Sequence, residues 1–157
     1  MKSRAQPERA GAGYIAATFD DVTLVLDQDE AEAVIDTNDL GSEGFTDSAN
    51  RLVVVEHNDE SVPVVRLSNI FQRQDGKTRA FVLIVHTSHY RLGLMCDVVR
   101  TVAATKVRLE PLPACMQTPA TLAISVAHLQ DGIGFHCSAE ALAQMTRTNQ
   151  VDDDGDR

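Results

Sequence analysis

Histidine and cysteine side chains are the first candidates for chemistry in this sequence. His86 and His89 are three residues apart, and Cys96 follows seven residues later. On a hairpin this spacing directs the two imidazoles to opposite faces, and no second pair of zinc ligands lies nearby in the chain. We interpret both histidines as polar turn residues and predict no metal site.

His136, Cys137 and Ser138 combine the residue types of nucleophilic catalysis. Adjacent residues rarely form a working dyad, and Cys137 is flanked by apolar sequence, which favours structural burial. Acidic clusters at residues 20–21 and 27–30 lack the ligand spacing of a calcium loop. The sequence contains neither a glycine-rich phosphate loop nor a Gly-x-Ser-x-Gly elbow. We therefore predict an interaction module that is not an enzyme and carries no cofactor.

Charge and cysteine content restrict the partners and the compartment. The 157-residue chain has a formal net charge of −9, which disfavours nucleic-acid backbones and anionic membrane surfaces as partners. Its three cysteines lack CxxC spacing and lie mostly in apolar sequence, as expected in a reducing compartment. The basic N-terminus precedes no apolar signal core, and no apolar run approaches the ~20 residues of a membrane helix. We predict a cytoplasmic protein without membrane insertion.

The elements that would position any site are predicted to be strands. Phe81–Val85 is an apolar, β-branched run typical of a strand buried on both faces. A polar turn at 86–89 leads into a return strand, Tyr90–Cys96, where Gly93 marks a point at which a side chain would crowd a neighbouring backbone. Pro63 cannot donate a ladder hydrogen bond, so it is expected at a sheet edge or a bulge.

The rest of the chain repeats this pattern of short strands and turns. About ten strands in all predict an all-β barrel or a pair of barrels, with a polar linker at 72–79 between two strand groups. Residues 27–36 fit a helical turn or an extended segment equally well. Residues 36–50 read as a long loop, either a binding element or a mobile surface connection. Ser138 can cap a short helix. The further predicted strands are 14–19, 22–26, 52–55, 61–67, 123–129 and 133–136.

The stretch from Phe81 to Pro113 resembles the CheW-like domain family of bacterial chemosensory systems. The similarity rests on the apolar strand, on the family's Gly-Leu-x-x-Asp-x-Val signature and on a Pro-Leu-Pro-like corner. The strand at 62–67 is similar to the family's Val-Pro-Val-x-Asp-Leu strand, and residues 123–142 to its closing strands and terminal helix. The signature and the corner are Gly93-Leu94-Met95-Cys96-Asp97-Val98-Val99 and Glu110-Pro111-Leu112-Pro113.

The resemblance, which spans roughly residues 14–145, implies an all-β fold of two small five-stranded SH3-like barrels side by side with a short C-terminal helix. We accordingly expect a flexible leader at 1–13, a CheW-like domain at 14–146 and an acidic disordered tail at 147–157. Within the domain, the first barrel would span about 14–71, the second about 79–137, and the helix 138–146.

Family members are adaptors, so the resemblance implies an adaptor or scaffold in a two-component signal transduction pathway for flagellar or pilus-driven (twitching) motility. They join methyl-accepting chemoreceptor tips to a CheA-type histidine kinase, pairing with its CheW-like regulatory domain. The groove between the barrels takes the receptor helix. Such a role requires an exposed apolar patch with a polar rim.

This sequence departs from the family at positions that face partners. Asn58 and Asp59 replace the arginine and glycine of a family turn, and Arg66 replaces an aspartate. Ser138 likewise stands where an aspartate is expected, and alanines at 31 and 33 replace a Val-x-Glu receptor-facing signature. These changes alter electrostatic complementarity, so a chain that binds the kinase but not the receptor is expected.

We predict partner contacts at Asn58, Asp59, Arg66, Val98 and Val99. The alternative for Asn58 and Asp59 is a solvated turn, and for the two valines it is the core. A rival function is a small-molecule sensor with a pocket between the barrels, using the residues Cys96, Cys115 or His128, if that cleft leaves a cavity of ~300 Å3 or more. A cysteine hydrolase would instead require an exposed thiol of lowered pKa.

Overall fold

The computed structural model describes residues 13–40, 46–47, 53–66, 79–117 and 123–144. The described residues form twelve strands, a four-residue helix α1 (Thr37–Leu40) and a helical segment at 139–144, with single 3-10 turns between several strands. The strands are β1 (Tyr14–Phe19), β2 (Val22–Asp27), β3 (Ala31–Asp36), β4 (Thr46–Asp47), β5 (Val53–His57), β6 (Glu60–Arg66), β7 (Phe81–His86), β8 (Arg91–Cys96), β9 (Val98–Val102), β10 (Arg108–Pro111), β11 (Ser125–Leu129) and β12 (Gly132–His136).

Two sheets contain all of these strands. Sheet A has the order β10-β11-β12-β2-β1-β9, and sheet B the order β3-β7-β8-β6-β5-β4. Sheet A contains two antiparallel hairpins in its interior, β1–β2 and β11–β12, which join through a parallel pairing of β12 with β2. A parallel pair requires a crossover connection, and here the whole of sheet B lies in that connection.

The division of strands differs from the consecutive halves predicted from the sequence. β1 pairs with β9 and β2 with β12, both from the second half of the chain, whereas sheet B takes the contiguous strands β3–β8. Each sheet has six strands in the described part of the chain, against five predicted. The division differs from the predicted one because β2 pairs with β12, which is far away in the sequence. Local sequence patterns do not indicate such a pairing.

The main core lies between the two sheets, and we call it the inter-sheet core. Alternate residues of β1 and β2 point into it from sheet A, and residues of β6, β7 and β8 enter from sheet B. Leu142 and Ala143 of the terminal helical segment complete it. Its larger fully buried members include Phe19, Leu24, Leu26, Leu83 and Leu94.

A second core lies inside sheet B and contains Val55, Val62, Val64, Val82, Ile84 and Met95. β3 and β5 are four strands apart in the order of this sheet, which is about 19 Å when flat. Nevertheless, the His57 Nε2 atom lies 3.7 Å from Glu32 Oε2. In sheet A, Arg100 of β9 similarly reaches Asp131 of the β11–β12 turn at 2.9 Å. Both sheets therefore curl, and the predicted all-β architecture is confirmed.

Several local predictions are also confirmed. The β7 strand is buried on both faces, and the β1, β2 and β8 strands lie within a residue or two of their predicted limits. Ser138 Oγ accepts a hydrogen bond from the Ala141 backbone N–H at 3.1 Å, which is an N-cap geometry. Residues 27–36 contain both alternatives, a 3-10 turn at Gln28–Glu30 and then β3.

Other expectations are refined or lie outside the described residues. A Cβ atom at Gly93 would meet the side chains of Val82 and Val64 at 3.0 and 3.1 Å, so side chains rather than backbone crowd this position. Pro63 pairs with β5 and lies just before the β6–β8 ladder, which begins at Val64. The predicted loop at 36–50 contains α1 and β4. The leader at 1–12, residues 41–45 and 48–50, most of the linker and the tail lie outside the described part.

Candidate protein–protein interaction site

The turn between β5 and β6 displays two of the predicted contact residues. Asn58 and Asp59 have positive φ values of 52° and 66°, and both are exposed. Two consecutive left-handed residues produce the turn whose twist matches that of the flanking strands, and Asn and Asp tolerate this conformation better than most residues. The backbone thus fixes both polar side chains at the tip of a hairpin.

A network of charged side chains lies beside this turn. Arg91 donates to Glu32 Oε2 at 2.6 Å and also to Glu60 Oε2, so it joins the starts of β3, β6 and β8. The hydrogen bond from Arg91 lowers the pKa of the Glu32 carboxyl group. His57, whose ring lies 3.3 Å from the Asn58 side-chain nitrogen, completes the network. Polar groups from four strands therefore surround the hairpin tip.

Arg66 lies at the other end of the same sheet. It is the last residue of β6 and pairs with Met95 near the end of β8. β6 has seven residues, so Arg66 is about 20 Å along the strand from the Asn58–Asp59 turn. The five predicted residues are therefore not brought together in one patch.

Val98 and Val99 follow β8 and have different environments. The Val98 side chain is 48% exposed, whereas Val99 packs against the inter-sheet core. The position of Val99 is the one described by the core alternative. Val98 lies opposite Thr18 in the β1–β9 pairing and contributes to a surface groove.

This groove lies over the open end of curled sheet A and has a volume of about 330 Å3. Thr18 and Thr23, whose hydroxyl oxygens are 3.1 Å apart, contribute to it from β1 and β2. Across the groove, the Arg100 guanidinium pairs with Asp131 and lowers the pKa of that carboxyl group. The other lining residues are Val98, Leu129, Gly132 and Ile133. Ile133 is 59% exposed, so the groove has apolar walls and an ionic bridge.

Asp97, the aspartate of the Gly-Leu-x-x-Asp-x-Val signature, has a structural role. Its Oδ2 atom accepts hydrogen bonds from Arg79 Nη1 at 2.7 Å and from the Asp20 backbone N–H at 2.9 Å. Arg79 is only 7% exposed and also contacts both carboxylate oxygens of Asp20. The Asp97 backbone N–H donates to the Thr18 carbonyl. This cluster fixes the β8–β9 corner, and with it Val98, against the β1–β2 turn.

The three residues proposed for a small-molecule pocket between the barrels lie in different environments within the described part of the chain. Cys96 is fully buried in the inter-sheet core, and packed side chains from both sheets fill that region. Cys115 is exposed, and His128 lies 3.0 Å from Glu110 on sheet A. Not one of these three lines the groove over sheet A.

Burial also changes the chemistry of two thiols. It raises the pKa of Cys96 and of Cys137 to about 12, so neither is a thiolate near neutral pH. These two residues therefore lack the lowered pKa that a cysteine hydrolase requires.

A Ser-His-Asp arrangement occurs on sheet A, and sequence reasoning missed it. Ser125 Oγ lies 3.3 Å from His136 Nδ1, and His136 Nε2 lies 3.1 Å from Asp27 Oδ1. Here the serine is buried at 9% exposure and the carboxylate is 55% exposed. A working triad needs an accessible serine and a sheltered carboxylate, so this arrangement anchors β12 to β2 and β11.

The described residues contain no group of three histidine, cysteine, aspartate or glutamate side chains that could hold a metal ion. His86 Nε2 lies 2.9 Å from the Asp29 carbonyl oxygen, a contact between β7 and the β2–β3 connection. In the described ranges no helix has both the length and the apolar character needed to cross a bilayer.

Comparison with solved structures gives the fold. The chain superposes with a TM-score of 0.62 on the scaffolding protein TtCheW from Thermoanaerobacter tengcongensis, over 81% of this chain and 88% of that one. The fold is CheW-like. Sequence identity is 14%, so the likeness is one of structure. No protein-family model matches the sequence, and no characterised protein matches it by sequence search. The CheW-like fold inferred from residues 81–113 is thus confirmed.

Sequence reasoning did not find Arg91 or Arg79. Arg91 is 59 residues from Glu32 in the chain, and Arg79 is 59 residues from Asp20. The residues around each arginine in the sequence do not indicate a partner so far away in the chain. The one usable signal was the Asp97 signature, which identifies one end of the Arg79 cluster.

Proposed function

We propose that this chain is a non-enzymatic adaptor of a bacterial chemosensory pathway, coupling a CheA-type histidine kinase to chemoreceptors or to other array components. The observation that carries the proposal is the CheW-like fold, shared with a scaffolding protein over most of both chains. Binding through surfaces alone also accords with the buried Cys96 and Cys137 thiols and the inaccessible Ser125 hydroxyl.

Two separated surfaces are proposed to bind partners. The first is the polar hairpin tip, Asn58 and Asp59, beside the Arg91 network. The second is the corner after β8, where Val98 is exposed beside the groove and Arg66 ends the neighbouring β6 strand. Val99 acts there by holding β9 on the core. Because the hairpin tip and Arg66 lie at opposite ends of β6 and the groove lies on sheet A, one chain could contact two partners at once.

The side chains at the hairpin tip are proposed to favour binding of the kinase over binding of the receptor. Asn58 stands where the resembling family has an arginine, and Asp59 stands where it has a glycine. A partner surface that is complementary to that arginine therefore finds no cation here. The proposed chain therefore retains kinase binding and has weakened receptor coupling.

The experiment mixes the purified chain in equimolar amounts with the regulatory domain of a CheA-type kinase and, separately, with a receptor-tip fragment. Size-exclusion chromatography should show co-elution with the kinase domain. A tagged chain recovered from the source cell should bring down the same kinase. Binding to neither partner, in both experiments, would contradict the adaptor function.

Variants assign the surfaces. N58G and D59G retain the left-handed turn while removing the side chains, and V98S makes the exposed valine polar. I124S is a matched control for V98S, because Ile124 is 57% exposed and lies outside the groove. Weakened kinase binding in V98S but not in I124S would support the second surface. Equal kinase binding by all four variants would show that neither surface is the binding site. The adaptor function itself would still be tested by the co-elution experiment.

A further inference from the structure

Strand β10 forms an open edge of sheet A. Among the described strands it pairs only with β11, and all four of its residues, Arg108–Pro111, are exposed. An edge strand presents backbone N–H and C=O groups that can pair with another extended chain. β10 is therefore an available site for strand addition.

The sequence of β10 is complementary to itself. In a two-fold antiparallel pairing centred on Leu109, each Arg108 lies directly opposite Glu110 of the second copy, and Leu109 lies opposite Leu109. Directly opposite side chains of unlike charge stabilise an antiparallel pair. The side chains of Arg108 and Glu110 are 71% and 49% exposed, and Leu109 is 38% exposed, so all three are accessible to a second copy.

We propose that two copies of this chain associate through their β10 strands in this register. Within one chain, the ion pair between Arg108 Nη2 and Glu110 Oε1 is long, at 3.4 Å. Glu110 Oε2 lies 3.0 Å from His128 Nε2, and this contact lowers the pKa of Glu110 and keeps its carboxylate charged. Pairing gives each Arg108 a directly opposite carboxylate while the His128 contact stays in place.

The chemistry of β10 also limits the association to two copies. Pro111 has no backbone N–H, so it cannot donate to an added strand and the paired segment stays short. A two-fold contact uses the same edge on both copies, so it closes and does not propagate. The short segment predicts a weak, concentration-dependent dimer. This pairing needs no chemosensory partner and is independent of the proposed adaptor function.

Charge reversal tests the register. Sedimentation velocity over a wide concentration range should show a monomer–dimer equilibrium for the full chain. R108E and E110R each place like charges opposite one another twice and should weaken dimerisation roughly tenfold. The double variant R108E/E110R restores opposite charges and should recover the dimer. K106E is the control, because Lys106 is exposed and lies outside the pairing.

Cross-linking gives a second readout that does not depend on charge. In a C115S background, which removes the exposed native thiol, L109C should form a disulfide-linked dimer on mild oxidation. T101C, on the exposed part of β9 at the opposite edge of sheet A, should not. A chain that is monomeric at every concentration, or a dimer unaffected by R108E and by E110R, would overturn the proposal.

Discussion

The Arg79 guanidinium lies 2.7 Å from the Asp97 carboxylate and joins it to Asp20 across the β1–β2 turn. Arg79 precedes β7 of sheet B, Asp97 follows β8, and Asp20 belongs to sheet A. One buried cation thereby connects the two sheets outside their apolar core. It also fixes the corner from which Val98 projects into the groove.

R79M should destabilise the fold, because it removes a buried cation that lies between two carboxylates. The expected loss is about 3 kcal/mol, at the low end for breaking a buried ion pair, since both carboxylates are partly exposed. Urea unfolding measures it. R79M/D97N should recover part of the loss, and R100M, at an exposed ion pair, should change stability little. An unchanged unfolding midpoint in R79M would show that the cluster is not stabilising.

D59G should stabilise the β5–β6 hairpin by up to ~1 kcal/mol. Asp59 has a φ of 66°, and glycine adopts this conformation without steric cost. Thermal unfolding measures the gain. The same change at Asp21, whose φ lies outside the left-handed region, should give no gain. Stabilisation of equal size in D21G would point to an effect unrelated to turn conformation.

G93A should destabilise the protein by ~1–3 kcal/mol through overpacking. The added methyl group would lie 3.0 Å from Val82 Cγ1 and 3.1 Å from Val64 Cγ2, within a closely packed part of sheet B. Chemical unfolding measures the loss. Since the clash is with side chains, G93A/V82A should be more stable than the sum of the two single changes predicts. If the losses of stability in G93A and V82A simply add in the double variant, the cost of G93A arises from the backbone and not from the Val82 side chain.

E30Q and E32Q should have opposite effects on stability at neutral pH. Burial raises the pKa of Glu30, so its ionised form costs stability above the ordinary value of 4.5, and E30Q removes that cost. The Arg91 hydrogen bond lowers the pKa of Glu32, so ionised Glu32 stabilises the fold, and E32Q loses that contribution.

Both differences from the parent chain should shrink as the pH falls and the carboxyl groups become protonated. The Glu30 effect should start to shrink as the pH falls through its raised pKa and should be gone below the ordinary value of 4.5. The Glu32 effect should start to shrink only near 4.5 and should be gone below its lowered pKa. Melting temperatures of the three proteins between neutral and acidic pH measure this. Matching pH profiles for the two variants would contradict the assigned environments.

Alkylation of the native protein should modify Cys115 alone. Cys115 is exposed, whereas Cys96 and Cys137 are buried and have a pKa of about 12. Mass spectrometry after brief treatment with iodoacetamide should find one modified thiol, and all three after unfolding. Rapid labelling of Cys137 in the native state would contradict its burial and would support a reactive thiol beside His136.

Sequence patterns predicted the local structure well and the long-range structure poorly. β7 and β8 were identified because an apolar run, a polar turn and a return strand lie next to each other in the chain. The Ser138 cap and the Asn58–Asp59 turn are likewise short-range features. Their conformations depend on few neighbours, so residue type alone carries the signal.

The division of the sheets and the ionic contacts depend on residues far apart. The parallel β2–β12 pairing joins strands from opposite ends of the described chain, and the Arg100–Asp131 bridge forms only because sheet A curls. The predicted contact set included Arg66 and the hairpin tip together, but β6 holds them at opposite ends. Val99 entered the set because a strand's inward and outward valines are indistinguishable until its register is known.

The placement of β1 and β2 in sheet A has a consequence for biosynthesis. These strands leave the ribosome before the other described strands, yet two of their partners, β9 and β12, are made only after all of β3–β8. Sheet B is contiguous and can close on its own small core during translation. Until sheet B has formed and packs against the first hairpin, the apolar side chains of Phe19, Leu24 and Leu26 stay uncovered on the nascent chain. The strand edges of this hairpin stay unpaired for longer, until β9 and β12 are made. During the first of these intervals the chain exposes the most apolar surface to a chaperone.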